Sequence, residues 1–365
     1  MQLDFFPSRT LTLYLAKMFS LRIFAVLVML VLVLMMLDLL SNSGQILEVP
    51  GNTEADLWLY ASLRVPMLIQ RFLPYSVLLA TIITLVTLNQ NSEVIAMKAA
   101  GLSAHQVLAP LIVTALLVAG ISFAFNERVG TRATAQLTAW EATEFGALPD
   151  KPKSKGSIYL EDGQNILTAR SYSGGGPAPT LRDVTYYRRS PTAEITQKVD
   201  APMAVHGPDG WAMQNPSVFT VGTASLAQPS QLTVAPGITP ATIELQEIDP
   251  TTQPFWQLGS SIEAYRQAGR DTEELEANYW HKISGPLAAV LMPILGAVAG
   301  FGLARSGQLF MRALIGMALG FAYFVIDNAA LAMGDFGGYP PFLAAWAPFL
   351  LFLMIGETVL VRTEE

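Results

Sequence analysis

Three acidic side chains stand where charge is costly. Asp38 and Asp327 interrupt long apolar runs, and Glu93 opens a short polar segment between two others. A carboxylate at membrane depth turns toward protein or water. Asp327 and its neighbour Asn328 therefore read as interior-facing, and Asp38 reads either as part of a polar path or as a helix-end residue near water. Nucleophilic chemistry has little to work with. The sequence has no cysteine, no GxSxG, no paired intramembrane aspartates and no glycine-rich loop ending in GK[ST], so the chain is not expected to hydrolyse ATP itself. Gly174 to Gly176 run into Pro177 and read as a loop. His105, His206 and His281 are widely spaced and outside any HExxH pattern. Each reads as a surface or interface residue, and no metal site is expected from this chain. An intramembrane hydrolase would need a nucleophile and a base at membrane depth, for which His281 beside Lys282 is a poor substitute.

Residues 89–103, NQNSEVIAMKAAGLS, form the most informative short segment. Asn91 or Ser92 can cap a helix, Glu93 suits its positive dipole end, and Gly101 can stop it in the left-handed conformation. The segment is expected to be two to three helical turns that present Val94, Ile95 and Met97 to a partner. The alternative is a tight loop with no partner.

Positioning these residues requires a membrane framework. Of 365 residues, 52% are hydrophobic and only 14% charged, with a net charge of −7, whereas soluble domains run near a quarter charged. Residues 126–278 carry 30 of the 51 charged side chains, so one polar domain interrupts a membrane protein. An acidic chain without a basic stripe is also a poor nucleic-acid binder. A bilayer core of about 30 Å needs roughly 20 apolar residues as helix. Six spans meet this: about 19–40, 72–88, 107–125, 283–304, 313–333 and 341–360. Prolines 74, 110, 286, 293 and 348 lie in or near them, which membrane helices tolerate. The first span ends at Asp38-Leu39-Leu40 rather than at a small-residue cleavage site, and is expected to be retained. Arg9, Lys17, Arg22, Lys98, Arg305, Arg312 and Arg362 fall on one side, opposite Glu48, Glu54, Asp56 and Asp335. That asymmetry places both termini in the cytoplasm and residues 126–278 outside. Arg64 and Arg71 run against it, on an expected interfacial helix at about 54–71, with Trp58 and Tyr60, that Pro66 should bend.

After a helical exit at about 126–145 the pattern shortens to alternating segments bounded by Gly, Pro, Asn and Asp. Residues 157–160 and 166–169 read as a hairpin with Asp162-Gly163 at its turn. Residues 184–187, 194–199 and 218–221 read as strands, with a second turn at Asp209-Gly210. Close spacing without helices implies an antiparallel sandwich or jelly roll. An exposed strand edge would suit docking or relay, against a domain that only protects a loop. Residues 255–279 are expected to return to helix, with Glu263, Arg266, Arg270 and residues 273–276 solvated.

The sequence resembles the lipopolysaccharide export permeases, the LptF/LptG (YjgP/YjgQ) family, over essentially its whole length. SEVIAMKAAGLS at 92–103, GSIYLEDGQNILTA at 156–169 and YFVIDNAALAMGDFGGYPPFLAAWAP at 323–348 carry the resemblance. The last, with Asp327 and the Tyr339-Pro340-Pro341 turn, looks more like the LptG branch than the LptF branch. The resemblance implies an α-helical polytopic membrane protein of six transmembrane helices, arranged 3+3, with an inserted periplasmic antiparallel β-jelly-roll domain. Residues 1–125 would hold three helices and a cytoplasmic coupling helix at about 92–101, residues 126–278 the periplasmic domain with its helical connections, and residues 279–365 three more helices. It further implies a non-catalytic permease subunit of an ABC transporter in a Gram-negative inner membrane. This chain would form a heterodimer with a paralogous LptF-like permease, on an LptB-like cytoplasmic ATPase homodimer that holds the ATP and Mg, with no cofactor on this chain. An LptC-like single-span regulator with a periplasmic jelly roll and an LptA-like periplasmic bridge would complete the route. Lipopolysaccharide would enter from the outer leaflet and pass upward through the jelly roll.

In that scheme Glu93, Val94, Ile95, Met97 and Gly101 belong to the ATPase-coupling helix, and spans one and five form lateral gates that give Asp38, Asp327 and Asn328 a setting. LptG members often carry basic residues just after the span-one aspartate. Ser41-Asn42-Ser43 stand there in this sequence, so a phosphate-binding role is not carried over. Arg64, Arg71, Arg128 and Arg132 are the basic candidates at a similar level. The competing classes are another envelope-lipid or lipoprotein export permease, and a membrane sensor with a periplasmic ligand-binding β domain. Lipoprotein-release permeases place a large outer domain after span one of four. A sensor predicts a cytoplasmic output domain, which is not expected after the sixth span.

Overall fold

The structure, a computed structural model, describes residues 7–146, 154–155, 158–173, 178–192, 194–223, 225–240, 243, 248–267, 270–300 and 308–364. The chain divides into two compact units, residues 1–146 with 249–365, and residues 147–248. The helical unit holds α1 (Arg9–Glu48), α2 (Glu54–Gln90), α3 (Glu93–Ala99), α4 (Ala104–Phe125), a π-helical turn (Asn126–Gly130) and α5 (Thr131–Glu141). After the insertion come α6 (Phe255–Gln267), α7 (Glu273–Gly300), α8 (Gln308–Asp335) and α9 (Pro341–Glu364).

Among the described residues, five helical runs are long and apolar enough to cross a membrane: α1, α2, Ala104–Glu141, Ala313–Asp335 and Pro341–Arg362. The fourth expected span is helix through Gly300. Its expected end near Ala304 lies outside the described residues, as do Arg305 and the loop Gly174 to Pro177. Helix α7 packs on α2, α4, α8 and α9, and Ala288, Ala289, Leu291, Met292 and Leu295 put small and branched side chains into one core with Val77, Leu85, Leu108, Leu111 and Tyr323. By contrast α1 buries little of its length. Leu21, Phe24, Leu32, Met36 and Leu40 are all exposed, a face that belongs against lipid or another apolar helix.

Three helix boundaries differ from the sequence reading. Helix α1 extends well beyond 19–40 at both ends, beginning where Ser8 Oγ accepts the Leu11 N–H at 3.4 Å. The interfacial helix and the second span are one continuous helix, and Pro66 does not interrupt it. A proline removes one donor, yet Pro66 and Pro74 both lie buried inside the continuous α2, as helices of a membrane protein tolerate. The start of α2 is fixed by Asp56, which accepts the Thr53 N–H at 2.7 Å. Residues 255–279 form two helices instead of one, with residues 270–272 non-helical between them. Arg266 spans that break, pairing with Glu263 at 3.2 Å and Glu276 at 2.9 Å.

The inserted unit is an antiparallel sheet of nine strands among the described residues: β1 (Ser154–Lys155), β2 (Ile158–Asp162), β3 (Asn165–Ser173), β4 (Thr180–Arg189), β5 (Ile195–Gly207), β6 (Gly210–Gln214), β7 (Ser217–Thr220), β8 (Ser225–Ala227) and β9 (Gln231–Val234). The long strands β3 and β5 each serve two partners on one edge. β1 and β2 share β3, while β6 and β7 share β5. The first hairpin pairs Asp162 with Asn165, so its turn is Gly163-Gln164, one residue later than expected. Gly163 takes a φ of 62° there, and a two-residue turn needs that left-handed geometry at its first position. The inward residues Leu167, Leu181, Val184, Val199, Ala204 and Met213 surround Trp211. Trp211 is fully buried and its indole N–H donates to the Ile238 carbonyl at 2.7 Å.

Candidate functional site

An open cleft of about 320 Å³ lies in the helical unit, where α4 finishes and α7 begins. Arg71 and Tyr75 of α2, Asn126 of the π turn, His281 and Lys282 of α7, and Phe324, Asp327 and Asn328 of α8 contribute to its wall. Apolar runs surround these residues on each helix, so burial of the runs sets where the polar side chains sit. Asp327 keeps only 9% of its side chain exposed, and its Oδ2 lies 3.1 Å from His281 Nε2. The Lys282 ammonium lies 3.8 Å from Glu127 Oε1, both side chains 9% exposed. Glu127 also accepts the Phe255 N–H and, at 3.3 Å, the Asn126 amide. Each of these carboxylates therefore faces a basic side chain, as buried charge requires. Tyr75 stacks on Phe324 with ring centroids 3.7 Å apart and planes within 18°, which gives the cleft an aromatic wall.

Asp38 sits elsewhere. Its carboxylate accepts the Tyr60 hydroxyl at 2.7 Å and faces the Arg64 guanidinium through both oxygens, each at 3.2 Å. Asn42 donates to the Asp38 carbonyl at 2.9 Å and to the Tyr60 oxygen at 3.2 Å. This cluster ties α1 to α2. Of the four candidate arginines, Arg64 belongs to this cluster. Arg64 is committed to Asp38. Arg71, two turns further along the same helix, lines the cleft and, among the described residues, makes no ion pair. Arg128 and Arg132 are exposed on the π turn and α5, outside the cleft wall. Asn328 is exposed at the cleft and donates to the Phe324 carbonyl at 2.7 Å.

The segment 92–103 is helical as expected but presents a different face. Val94 and Met97 are 4% and 7% exposed and belong to the core of the helical unit, while Ile95 is 56% exposed. Positions three apart share a helix face and the position between them does not, so Val94 and Met97 anchor α3 and only Ile95 is offered outward. Ser92 adopts a φ of 60° and its side chain caps nothing. The stop at Gly101 follows the expected chemistry, with a φ of 85° and the Leu102 N–H returning to the Met97 carbonyl at 3.1 Å. Glu93 is half-buried and accepts the Tyr14 hydroxyl of α1 at 3.4 Å.

Sequence reasoning missed Glu127, Lys282 and the role of His281. A signal was present. A span that begins with His281-Lys282 and a neighbouring span that carries Asp327 near its end share a depth, so opposite charges there are in reach of each other.

Five described helical runs long and apolar enough to cross a membrane, with an inserted antiparallel sheet, define a multi-pass helical membrane protein that carries a β unit. The sequence matches the family described as lipopolysaccharide export system permease LptF/LptG over residues 13–362, and the chain belongs to that family. It is 24% identical over 316 residues to the lipopolysaccharide export system permease protein LptG of Escherichia coli strain K12, covering 83% of this chain and 85% of the relative. It is also 24% identical over 365 residues to LptG of Haemophilus influenzae, covering 98% and 99%. Both agree with the LptG-like character of residues 323–348. Family membership and the apolar helices make this an inner-membrane, multi-pass transport subunit rather than an enzyme.

Proposed function

We propose that this chain is the LptG-type permease of an ABC transporter that extracts lipopolysaccharide from the outer leaflet of the inner membrane and passes it to a periplasmic β-fold bridge. The family match from residue 13 to residue 362 carries this reading, and a polar cleft set among apolar helices supports it. Extraction is costly at about 0.8 kcal/mol per methylene moved from lipid toward water, so a motor is required. ATP and Mg belong on a separate cytoplasmic ATPase homodimer, with α3 as the coupling element and Glu93 and Ile95 as its outward contacts. A paralogous permease completes the path across the exposed faces of α1 and α8. Both termini are cytoplasmic, and the sheet lies in the periplasm, where an LptC-like regulator and an LptA-like bridge continue it.

The test is purification from native membranes in mild detergent. A similar permease and an ATPase should come with this chain in fixed stoichiometry, and the complex should hydrolyse ATP faster when lipopolysaccharide is added. A clean monomer, or an ATPase indifferent to lipopolysaccharide, would overturn the proposal.

A further inference from the structure

Three aromatic side chains of the helical unit stand out by their exposure. Among the described residues Trp58, Trp256 and Phe336 are 79%, 77% and 91% exposed, and no other large apolar side chain exceeds 70%. All three belong to the end of the unit opposite α3. Trp58 lies four residues after α2 begins, Phe336 directly follows α8, and Trp256 is the second residue of α6. The level of α6 is fixed by its buried side, which carries Phe255, Leu258, Ile262 and Tyr265. Phe255 stacks on Tyr279 of α7 with centroids 4.3 Å apart, meets Phe123 of α4 edge-on at 6.2 Å, and donates its N–H to Glu127. The uncharged run of α4 ends at Phe125 and Glu127 follows. The start of α6 is therefore level with the place where an apolar span gives way to polar sequence, which is the hydrocarbon boundary of a bilayer.

Water is a poor environment for rings this exposed. A single protein partner would have to reach three separate places, the α1–α2 turn, α6 and the α8–α9 turn. A bilayer surface meets them together. The exposed apolar side chains of α8, Val325, Ile326 and Met333, lead directly into Phe336, and Leu117 and Ile121 of α4 lead toward the level of Trp256, so the rings continue the faces that the spans turn to lipid. Tryptophan suits that boundary because its ring is apolar and its indole N–H can still reach a headgroup or water. We infer that Trp256 anchors the start of α6 in the headgroup layer of the surrounding phospholipid bilayer, with Trp58 and Phe336 as companion anchors at the same end of the bundle. The inference uses only the membrane-spanning character of the helical unit and holds whatever the protein transports.

The chain contains no cysteine, so single cysteines can carry the environment-sensitive fluorophore NBD. The protein is purified from native membranes with its accompanying chains and reconstituted in phosphatidylcholine nanodiscs, and the unsubstituted protein gives the background from other chains. Trp256→Cys, Trp58→Cys and Phe336→Cys replace exposed side chains, and Gln257→Cys reports on the same turn of α6 with the Trp256 ring intact. At these four positions NBD emission should shift to shorter wavelength than in the denatured protein. A lipid nitroxide next to the headgroup should quench it more strongly than one near the acyl terminus. Leu117→Cys, within the exposed apolar face of α4, should show the reverse order. Blue-shifted emission that neither nitroxide quenches would give Trp256 to a protein partner, and water-like emission would leave it in solvent; either result at residues 256 and 257 overturns the inference. Stronger quenching there by the acyl-terminal nitroxide would place the ring in the hydrocarbon core and overturns it as well. The same results at Trp58 or Phe336 overturn that anchor. All of these leave the proposed function standing.

Discussion

Lys282→Met should be among the most destabilising single changes in the helical unit. The ammonium lies 3.8 Å from Glu127 with 9% of each side chain exposed, which corresponds to about 4 kcal/mol of attraction at an effective dielectric near 20. Removing one member of a buried pair strands the other charge and costs about 3–5 kcal/mol. Over 365 residues a loss of about 4 kcal/mol lowers the melting temperature by roughly 5 °C, taking about 2.1 cal/mol/K of unfolding entropy per residue. Glu127 has a second task, since it accepts the Phe255 N–H that opens α6. Glutamine can still perform that task while carrying no charge. The double variant Glu127→Gln/Lys282→Met should therefore recover most of the loss and sit within about 1 kcal/mol of wild type. Fluorescence-detected melting of the detergent-purified protein measures the four corners of this cycle. A Lys282→Met protein that melts with wild type, or a double variant whose loss equals the sum of the singles, would refute the assignment of a coupled buried pair.

Glu93→Lys should leave the subunits assembled yet abolish substrate-stimulated ATP hydrolysis, and normal lipopolysaccharide export in that variant would remove α3 from the coupling role. Gly210→Ala should weaken the β unit by about 2–4 kcal/mol, because Gly210 has a φ of 123° and an added Cβ would stand 2.7 Å from the Val234 carbonyl oxygen. Limited proteolysis within residues 147–248 reads this, and unchanged resistance would contradict it. Burial and the nearby Asp162 carboxylate push the Tyr186 hydroxyl up to about 12. The folded state thus keeps a proton that the unfolded state has released, and stability contributed below about pH 10 is lost as pH rises toward 12. Tyrosinate absorbance should show one group titrating near 12 in wild type that is missing from Tyr186→Phe, and a difference centred near 10 would refute it.

Composition and periodicity carried a large share of the fold into view. Apolar runs of about 20 residues leave a chain no stable place outside a bilayer, and the crowding of charge between 126 and 278 separated the insertion from the helices. Glycines at 101 and 163 marked real stops and turns because only certain backbones accept a positive φ. Boundaries were less legible. The continuity of α2 through Pro66 runs against a local signal for a bend, and the inward facing of Val94 and Met97 depends on which side of α3 meets the core.

The sequence by itself determined that charged groups within the spans must be few and individually consequential, since hydrocarbon penalises each one. It named Asp38 and Asp327 without saying what each meets. Tertiary structure decided the partners. Asp38 takes Arg64 and Tyr60, Asp327 takes His281 and Glu127 takes Lys282, and Arg71 lines the same cleft as Asp327. Pairing is a property of distance across helices far apart in the chain, and side-chain spacing along one helix carries no record of it.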